Sequence, residues 1–360
     1  MLQQALETRL GQYRDPYLEQ DLFAVKAVKR IAFEPHRVQV DIVLGYPFAS
    51  IKSELLSTLQ AWLKPVMPDK TLDIQLSWQI DSHTGRQAIP ALPKVSNMIA
   101  VASGKGGVGK STVAVNLALA LAHEGAQVGI LDADVYGPSQ PTMLGTEKAK
   151  PVVVDKTIHP IKHHGLQAMS IGYLIDQQAP MIWRGPMIGK ALQQLLHDTQ
   201  WEALDYLIVD LPPGTGDIQL TLCQKMPVSG VVLVTTPQDL ALLDVRRACA
   251  MFDKLNVPML GVVENMSTYH CSQCGHAEPI FGTGGGRKLA AQYEFSFLGA
   301  IPLDLRLREM TDNGYPPSTC EPAGDLAQNF SIIARKVAAL LSLQPKNYSA
   351  RFPKVVVEHS

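Results

Sequence analysis

Between residues 25 and 46 apolar and polar side chains alternate in two runs, "VKAVKRIAF" and "RVQVDIVLGY", separated by the turn-forming "EPH". Period-two alternation on either side of a turn predicts a β-hairpin with one buried face. The next stretch, "SIKSELLSTLQAWL", spaces its leucines three and four apart, as one face of a helix requires, and "LDIQLSWQI" returns to period two. A small α+β domain over residues 1–80 accounts for this order. Residues 81–97, "DSHTGRQAIPALPKVSN", show no period and are rich in Pro, Gly and polar side chains, so they read as a linker.

From residue 98 the texture changes. Short runs of Val, Ile, Leu and Ala, "MIAVAS", "QVGILDAD", "DYLIVDLP", "GVVLVTTP" and "MLGVVEN", are separated by helix-length segments such as "STVAVNLALALAHEG". Strands that are apolar throughout are buried on both faces, and their alternation with helices predicts a doubly wound, mainly parallel α/β domain over residues 98–343. Residues 344–360 are left as a tail with two prolines and no sustained amphipathic period. Such sheets bind ligands beyond the carboxyl ends of their strands. The polar endings "SGKGG", "DAD", "DLPPG", "TTPQD" and "ENMS" are therefore expected to gather around one site.

Composition narrows the class. The formal net charge is −1, without the basic excess that nucleic acid or an anionic membrane asks for, so neither is an expected partner. The first twenty residues lack the apolar core of a signal peptide, and no later run approaches the roughly 18 apolar residues of a membrane span. Five cysteines, scattered apart from Cys271 and Cys274, argue against a disulfide framework. A cytoplasmic protein is expected.

The loop "SGKGGVGKST" (103–112) fits two phosphate-binding patterns. Gly104, Gly106 and Gly109 spell the G-x-G-x-x-G of dinucleotide folds, and Asp132 and Asp134 lie where such a fold reads ribose. Lys110, Ser111 and Thr112 have no task there. In a P-loop Lys110 reaches the β/γ-phosphates, Ser111 ligates Mg²⁺, and the amides of Gly104 through Thr112, Gly107 and Val108 included, line an anion nest. A P-loop also needs an acidic residue closing a later buried strand to hold the Mg²⁺ water shell, and Asp210 in "YLIVDLPPGTGD" meets that need. The P-loop reading prevails.

"GKGGVGKST" further resembles the deviant Walker A motif of the SIMIBI class, which includes MinD, ParA, the nitrogenase iron protein and arsenite-pump ATPases. The resemblance implies ATP as the nucleotide. It also implies that Lys105 reaches across a nucleotide-sandwich homodimer to the partner's phosphates, stabilising transition-state charge as an arginine finger does. By the same resemblance Asp134 orients the attacking water, and Asp132 sits by the Mg²⁺ shell or supports the strand end. Asn265 in "VVENMS" is similar to the adenine-contacting asparagine, with Pro302 in "IPLD" closing the base pocket from the other side.

Cys271 and Cys274 form a C-x-x-C in "STYHCSQCGHAEPIFGTGGG", beside His270 and His276. Two thiolates grip one soft metal ion or a cluster edge, but a structural site takes four ligands. Cys223, Cys249, Cys320 or a histidine completes it, or a second copy of the chain does. A thioredoxin-like redox pair is the rival, although that motif opens a helix and this one lies in a polar, glycine-flanked loop. Cys223 and Cys249 read as small buried hydrophobes, Cys320 as a loop cysteine, and His159, His163 and His164 as surface. Arg184 and Lys190 are open to dimer, nucleotide or client contact.

Taken in order, the P-loop, "DADVYGPSQP", "WRGPM", "DLPPGTGD", "TTPQ", "VVENMS", the C-x-x-C and "FGTGGG" resemble the Mrp/ApbC family of iron-sulfur cluster carriers over residues 95–340. That resemblance implies ATP hydrolysis tied to binding a [4Fe-4S] cluster, shared between two subunits by Cys271 and Cys274, and its passage from cluster donors to apo client proteins. The N-terminal region resembles the iron-sulfur-assembly domain that often precedes this ATPase, but it carries "DPYLEQDLFAVKAV" in place of that domain's "DPE" pattern, which favours a docking module. Two other functions fit parts of the pattern: a MinD/ParA-like positioning switch and a zinc-stapled regulatory ATPase.

Overall fold

The computed structural model describes residues 2–83, 89–174 and 185–347. At the N-terminal end, helices α1 (Leu2–Gly11) and α2 (Lys52–Leu63) accompany a three-stranded sheet of β1 (Val28–Phe33), β2 (Arg37–Leu44) and β3 (Thr71–Trp78). β1 and β2 pair antiparallel, as the alternation predicts, and β3 lies parallel to β2. Val38, Val40, Ile42 and Leu44, every second residue of β2, share a core with Leu55, Leu59 and Leu63 of α2 and with Leu6 and Leu10 of α1.

The remaining strands are β4 (Val95–Ala102), β5 (Val128–Asp132), the short hairpin of β6 (Val153–Val154) and β7 (Thr157–Ile158), β8 (Ile161–His163), β9 (Leu166–Ser170), β10 (Leu204–Asp210), β11 (Gly230–Thr235), β12 (Met259–Glu264), a second hairpin of β13 (Tyr269–His270) and β14 (Ala277–Glu278), and β15 (Phe297–Ala300). Eight of them form the central sheet in the order β15-β12-β11-β4-β10-β5-β9-β8, parallel throughout except for the edge strand β8. The helices are α3 (Lys110–His123), α4 (Gln140–Met143), α5 (Gly185–Asp198), α6 (Asp217–Lys225), α7 (Asp239–Lys254), α8 (Gly285–Tyr293), α9 (Leu305–Asp312), α10 (Pro317–Cys320) and α11 (Asp325–Ser342). The doubly wound α/β class read from the sequence is the one observed. β8, β9 and β15 lacked a signal because they are short and broken by polar or glycine residues such as Gln167 and Gly299.

Helix α3 is the axis of the molecule. Residues Val113 to Leu121 are all buried, as an apolar helix must be when it is covered on every side. It runs from the end of the glycine loop to Glu124, and there the N-terminal unit docks. The Ser50 backbone N–H and Oγ donate to the Glu124 carboxylate at 3.1 and 2.6 Å, Ala49 N–H donates to the Glu124 carbonyl at 3.0 Å, and the Arg335 guanidinium pairs with the same carboxylate. Glu124 and Arg335 are 0% and 5% exposed. Alongside, the Trp78 ring lies over Gly125, and Gly45 meets Ser342 of α11 so closely that no side chain fits between them.

Removing one partner of a buried, hydrogen-bonded ion pair leaves the other charge stranded, at a cost of about 3–5 kcal/mol, whereas an apolar pair of similar volume is far better tolerated. Glu124→Leu and Arg335→Met are each expected to lower the thermal midpoint markedly, and the double variant is expected to melt above either single one. Thermal denaturation followed by circular dichroism checks this; equal midpoints for the single variants and wild type would contradict it.

Candidate nucleotide and cysteine sites

Ser103 through Gly109 leave the carboxyl end of β4 and turn into α3. Two glycines in this loop have steric reasons. At Gly104 an added methyl would run into the Asp244 carbonyl of α7, which crosses directly behind the loop. Gly109 has φ 78°, in the left-handed region, and lies against the Asn265 amide. Ser103 Oγ donates to the Lys105 carbonyl at 2.9 Å, and Gly214 N–H donates to the Ser103 carbonyl at 2.9 Å, so the "DLPPGTG" segment is tied to the loop. Lys105, Gly106 and Gly107 are exposed on its outer side, Val108 is buried, and Ser111 and Thr112 are half-buried.

Lys110 points inward and is 6% exposed. Its ammonium pairs with the fully buried Asp210, lies 3.2 Å from Ser111 Oγ and 4.0 Å from Asp134 Oδ2. Asp132 and Asp210 face each other in register across β5 and β10. Burial, and then the negative charge of Asp210, push the Asp132 carboxyl well above its ordinary range. Asp132 accepts from the N–H groups of Asp134, Ser139 and Gln140 at 3.1, 3.0 and 3.0 Å and from Ser170 Oγ at 3.1 Å, so it shapes the turn after β5. Asp134 is raised by burial, an effect opposed by Lys110 and reinforced by Asp210. Lys110, Ser111, Asp132, Asp134 and Asp210, drawn from three strand ends, thus meet in one place.

Asn265 and Pro302 are also brought together. Ser267 N–H donates to the Ile301 carbonyl at 3.0 Å and Leu303 N–H to the Thr268 carbonyl at 2.9 Å, so the segments after β12 and β15 run side by side. The Asn265 amide donates to the Val108 carbonyl at 2.9 Å and so supports the glycine loop from behind. Just before it, the buried Glu264 accepts from Gly286 N–H at 2.6 Å, fixing the start of α8.

Between those anchors stands the cysteine hairpin. Tyr269 and His270 pair with Glu278 and Ala277, Cys271 N–H donates to the His276 carbonyl at 2.9 Å, and Gly275 N–H donates to the Cys271 carbonyl at 2.9 Å, with Gly275 at φ 71°. The Cys274 and Gln273 N–H groups, together with the Cys274 thiol, are directed at the Cys271 sulfur and hold its thiol below the usual range. Cys271 is half-buried and Cys274 exposed. Among the described residues no group of three or more His, Cys, Asp or Glu is placed to hold a metal ion. Cys223 and Cys249 are buried in α6 and α7, where burial pushes their thiols up to about 12 and about 11. Cys320 ends the short helix α10, where a loop was expected, and its thiol donates to the Tyr315 carbonyl at 3.1 Å. The rings of His163 and His164 lie 3.9 Å apart, tilted at 56° to each other, and Lys190 is exposed on α5. Arg184 lies outside the described residues.

Sequence reading missed three positions that matter here. Glu264 and Glu124 sit at element ends whose partners, Gly286 and Arg335, are distant in sequence. Gln140 lies inside the quoted "DADVYGPSQP" but drew no attention, because an amide carries no sequence signal of its own. Its Nε2 donates to Asp210 Oδ2 at 2.9 Å and to the Ser111 carbonyl at 3.2 Å.

Comparison with known proteins agrees with this geometry. The family model described as NUBPL iron-transfer P-loop NTPase matches residues 94–338, and that described as iron-sulfur cluster assembly protein matches residues 3–72, despite the altered "DPE" pattern. The chain is 49% identical over 336 residues to the iron-sulfur cluster carrier protein of Escherichia coli K12, covering 93% of this chain and 91% of that one. The nucleotide-binding protein of Archaeoglobus fulgidus, solved with ADP, is 41% identical with a TM-score of 0.55, over 61% of this chain and 87% of that one. The cell division ATPase MinD of Pyrococcus furiosus, 22% identical with a TM-score of 0.50 over 67% of this chain and 98% of that one, shares the fold. With its P-loop, its carboxylates at the strand ends and its cysteine hairpin all inside the matched span, the chain belongs to the NUBPL iron-transfer P-loop NTPase family.

Proposed function

We propose that this protein is an ATP-hydrolysing carrier that binds an iron-sulfur cluster between two copies of itself and passes it to apoproteins. One observation carries the reading: a two-thiol hairpin is built directly onto the strand end that holds the nucleotide loop. The amides directed at Cys271 favour the thiolate that metal binding requires. Two ligands are half of the usual Cys₄ set, and a twofold axis supplies the other half. The relatives named as iron-sulfur cluster carriers support the same cargo.

The roles follow from position. Lys110 exchanges Asp210 for phosphate oxygens when nucleotide enters. Ser111 and Asp210 offer the hard oxygen donors and the charge that suit Mg²⁺ and its waters, and the bound ion neutralises developing phosphate charge. Asp132 organises the turn from which Asp134 orients the attacking water. Lys105, exposed on the loop, acts on the partner's nucleotide, while Asn265 and Pro302 flank the adenine. The bond from the Asn265 amide to the Val108 carbonyl and the tie from Gly214 to the Ser103 carbonyl connect the hairpin's base and the "DLPPGTG" segment to the glycine loop, so hydrolysis alters how the cluster is held. No helix of the described residues is long and apolar enough to cross a membrane, and we place the carrier in the cytoplasm, where thiols stay reduced.

Anaerobically reconstituted protein is expected to carry about four iron and four sulfide per dimer, as a [4Fe-4S] cluster does, and Cys271→Ala or Cys274→Ala to carry none; a colourless dimer containing zinc would overturn the cluster reading. Lys105→Ala is expected to bind ATP normally and to lose hydrolysis by about a thousandfold, the lower range for a charge-stabilising finger. Mixing it with a Lys110 variant should recover activity, since each chain supplies what the other lacks; hydrolysis by Lys105→Ala alone at the wild-type rate would remove the trans role. Cluster transfer to an apoprotein should run at different rates in the nucleotide-free, ADP and ATP-analogue states, and one common rate would break the proposed link.

A further inference from the structure

Met266 joins Asn265 to the run that leads into the cysteine hairpin. It is half-buried and has φ 55°, in the left-handed region. That backbone suits Gly or Asn and offers an unbranched apolar side chain nothing. Its neighbours impose it. Asn265 N–H donates to the Thr235 carbonyl at 2.7 Å and its amide to the Val108 carbonyl at 2.9 Å, while Ser267 N–H donates to the Ile301 carbonyl at 3.0 Å. Both flanks are pinned, so Met266 takes the whole turn out of β12.

The side chain lies toward the glycine loop. A methyl added at Gly109 would stand 3.8 Å from Met266 Cε and would collide with the Asn265 amide, so these two residues together fill the space a side chain at 109 would need. Three residues after Met266, Tyr269 opens the hairpin, and Leu303 N–H holds the Thr268 carbonyl at 2.9 Å in between.

We infer that Met266 is a positioning residue that links the nucleotide loop to the cysteine hairpin: its thioether bears on the loop at Gly109, and its left-handed backbone sets the direction in which the chain leaves for Cys271 and Cys274. This rests on reading the loop as a nucleotide site that governs the hairpin. Strained backbone that is over-determined by its surroundings gathers at switching sites. A residue held left-handed also has an ordinary basin to relax into, which gives the joint the two discrete arrangements that coupling between sites requires. Asn265 anchors the loop, and Met266 transmits its displacement.

Full-length protein, stripped of iron and reduced, is alkylated with iodoacetamide in a Cys320→Ser background, which removes the other exposed thiol among the described residues. Mass spectrometry reads the rates at Cys271 and Cys274 with and without saturating Mg-ADP, and calorimetry reads ADP affinity. In wild type and in Met266→Leu, which keeps an apolar side chain against the loop, ADP should change the rates by about twofold or more, the lower end of what a residue touching neither ligand contributes to coupling. Met266→Gly, which relaxes the backbone and removes the contact, should still bind ADP and show one rate in both conditions. A residue that only supports the fold would shift both rates alike and leave the ADP effect in place; that result overturns the inference, as would loss of the effect in Met266→Leu or loss of ADP binding in Met266→Gly. If Met266→Gly does not fold, Met266→Ala, which removes the contact alone, decides by the same comparison. Equal rates in wild type with ADP bound would instead overturn the link between loop and hairpin in the proposed function, and wild type that binds no ADP would overturn the nucleotide reading itself.

Discussion

Asp132 and Asp210 end adjacent parallel strands at the same level of the sheet, both out of contact with solvent, and two such carboxylates repel unless something answers each of them. The chain answers them differently. Asp210 is met by the Lys110 ammonium and the Gln140 amide; Asp132 is met by three backbone N–H groups and a serine hydroxyl. The glycine loop, the turn after β5 and the strand end of β10 are thereby drawn into one network. A ligand that pulls Lys110 away removes the main compensation for Asp210, so a polyanion enters this site favourably together with a cation.

The same lysine begins a helix that ends in a second buried charge pair. At 1.5 Å per residue α3 spans about 21 Å, and at its far end Glu124 is held by Arg335 and by the N-terminal unit through Ser50. One rigid element therefore joins the phosphate loop to the docking surface of the N-terminal unit. The burial of Val113 to Leu121 leaves it little freedom to bend, because close-packed interiors transmit displacement and do not absorb it.

Much of this was legible in the sequence. Apolar runs longer than a half-buried strand could use gave the parallel sheet, and the rule that ligands bind at strand carboxyl ends brought Lys110, Asp134, Asp210 and Asn265 to one region. Local spacing also carried the hairpin of β1 and β2. What could not be read was whatever depends on two distant segments meeting. The need for glycine at 104 comes from the backbone of Asp244, and the partner of Glu124 lies at Arg335. Strands β9 and β15 owe their place to the sheet, not to their own short sequences. The likeness of the N-terminal unit to an iron-sulfur-assembly domain was legible although "DPYLEQ" departs from the "DPE" pattern, and the family match over residues 3–72 agrees with it.

The cysteine hairpin has a further meaning in its manner of attachment. It closes on itself through the pairing of Tyr269 and His270 with Glu278 and Ala277, and it joins the sheet at two fixed points, Asn265 behind the glycine loop and Gly286 on Glu264. Its tip contributes nothing to the core, so it is free to vary in ligand identity and spacing without disturbing the machinery beneath. The two tasks are in this sense kept apart: the sheet carries the glycine loop, and the hairpin carries the accessible thiols of Cys271 and Cys274.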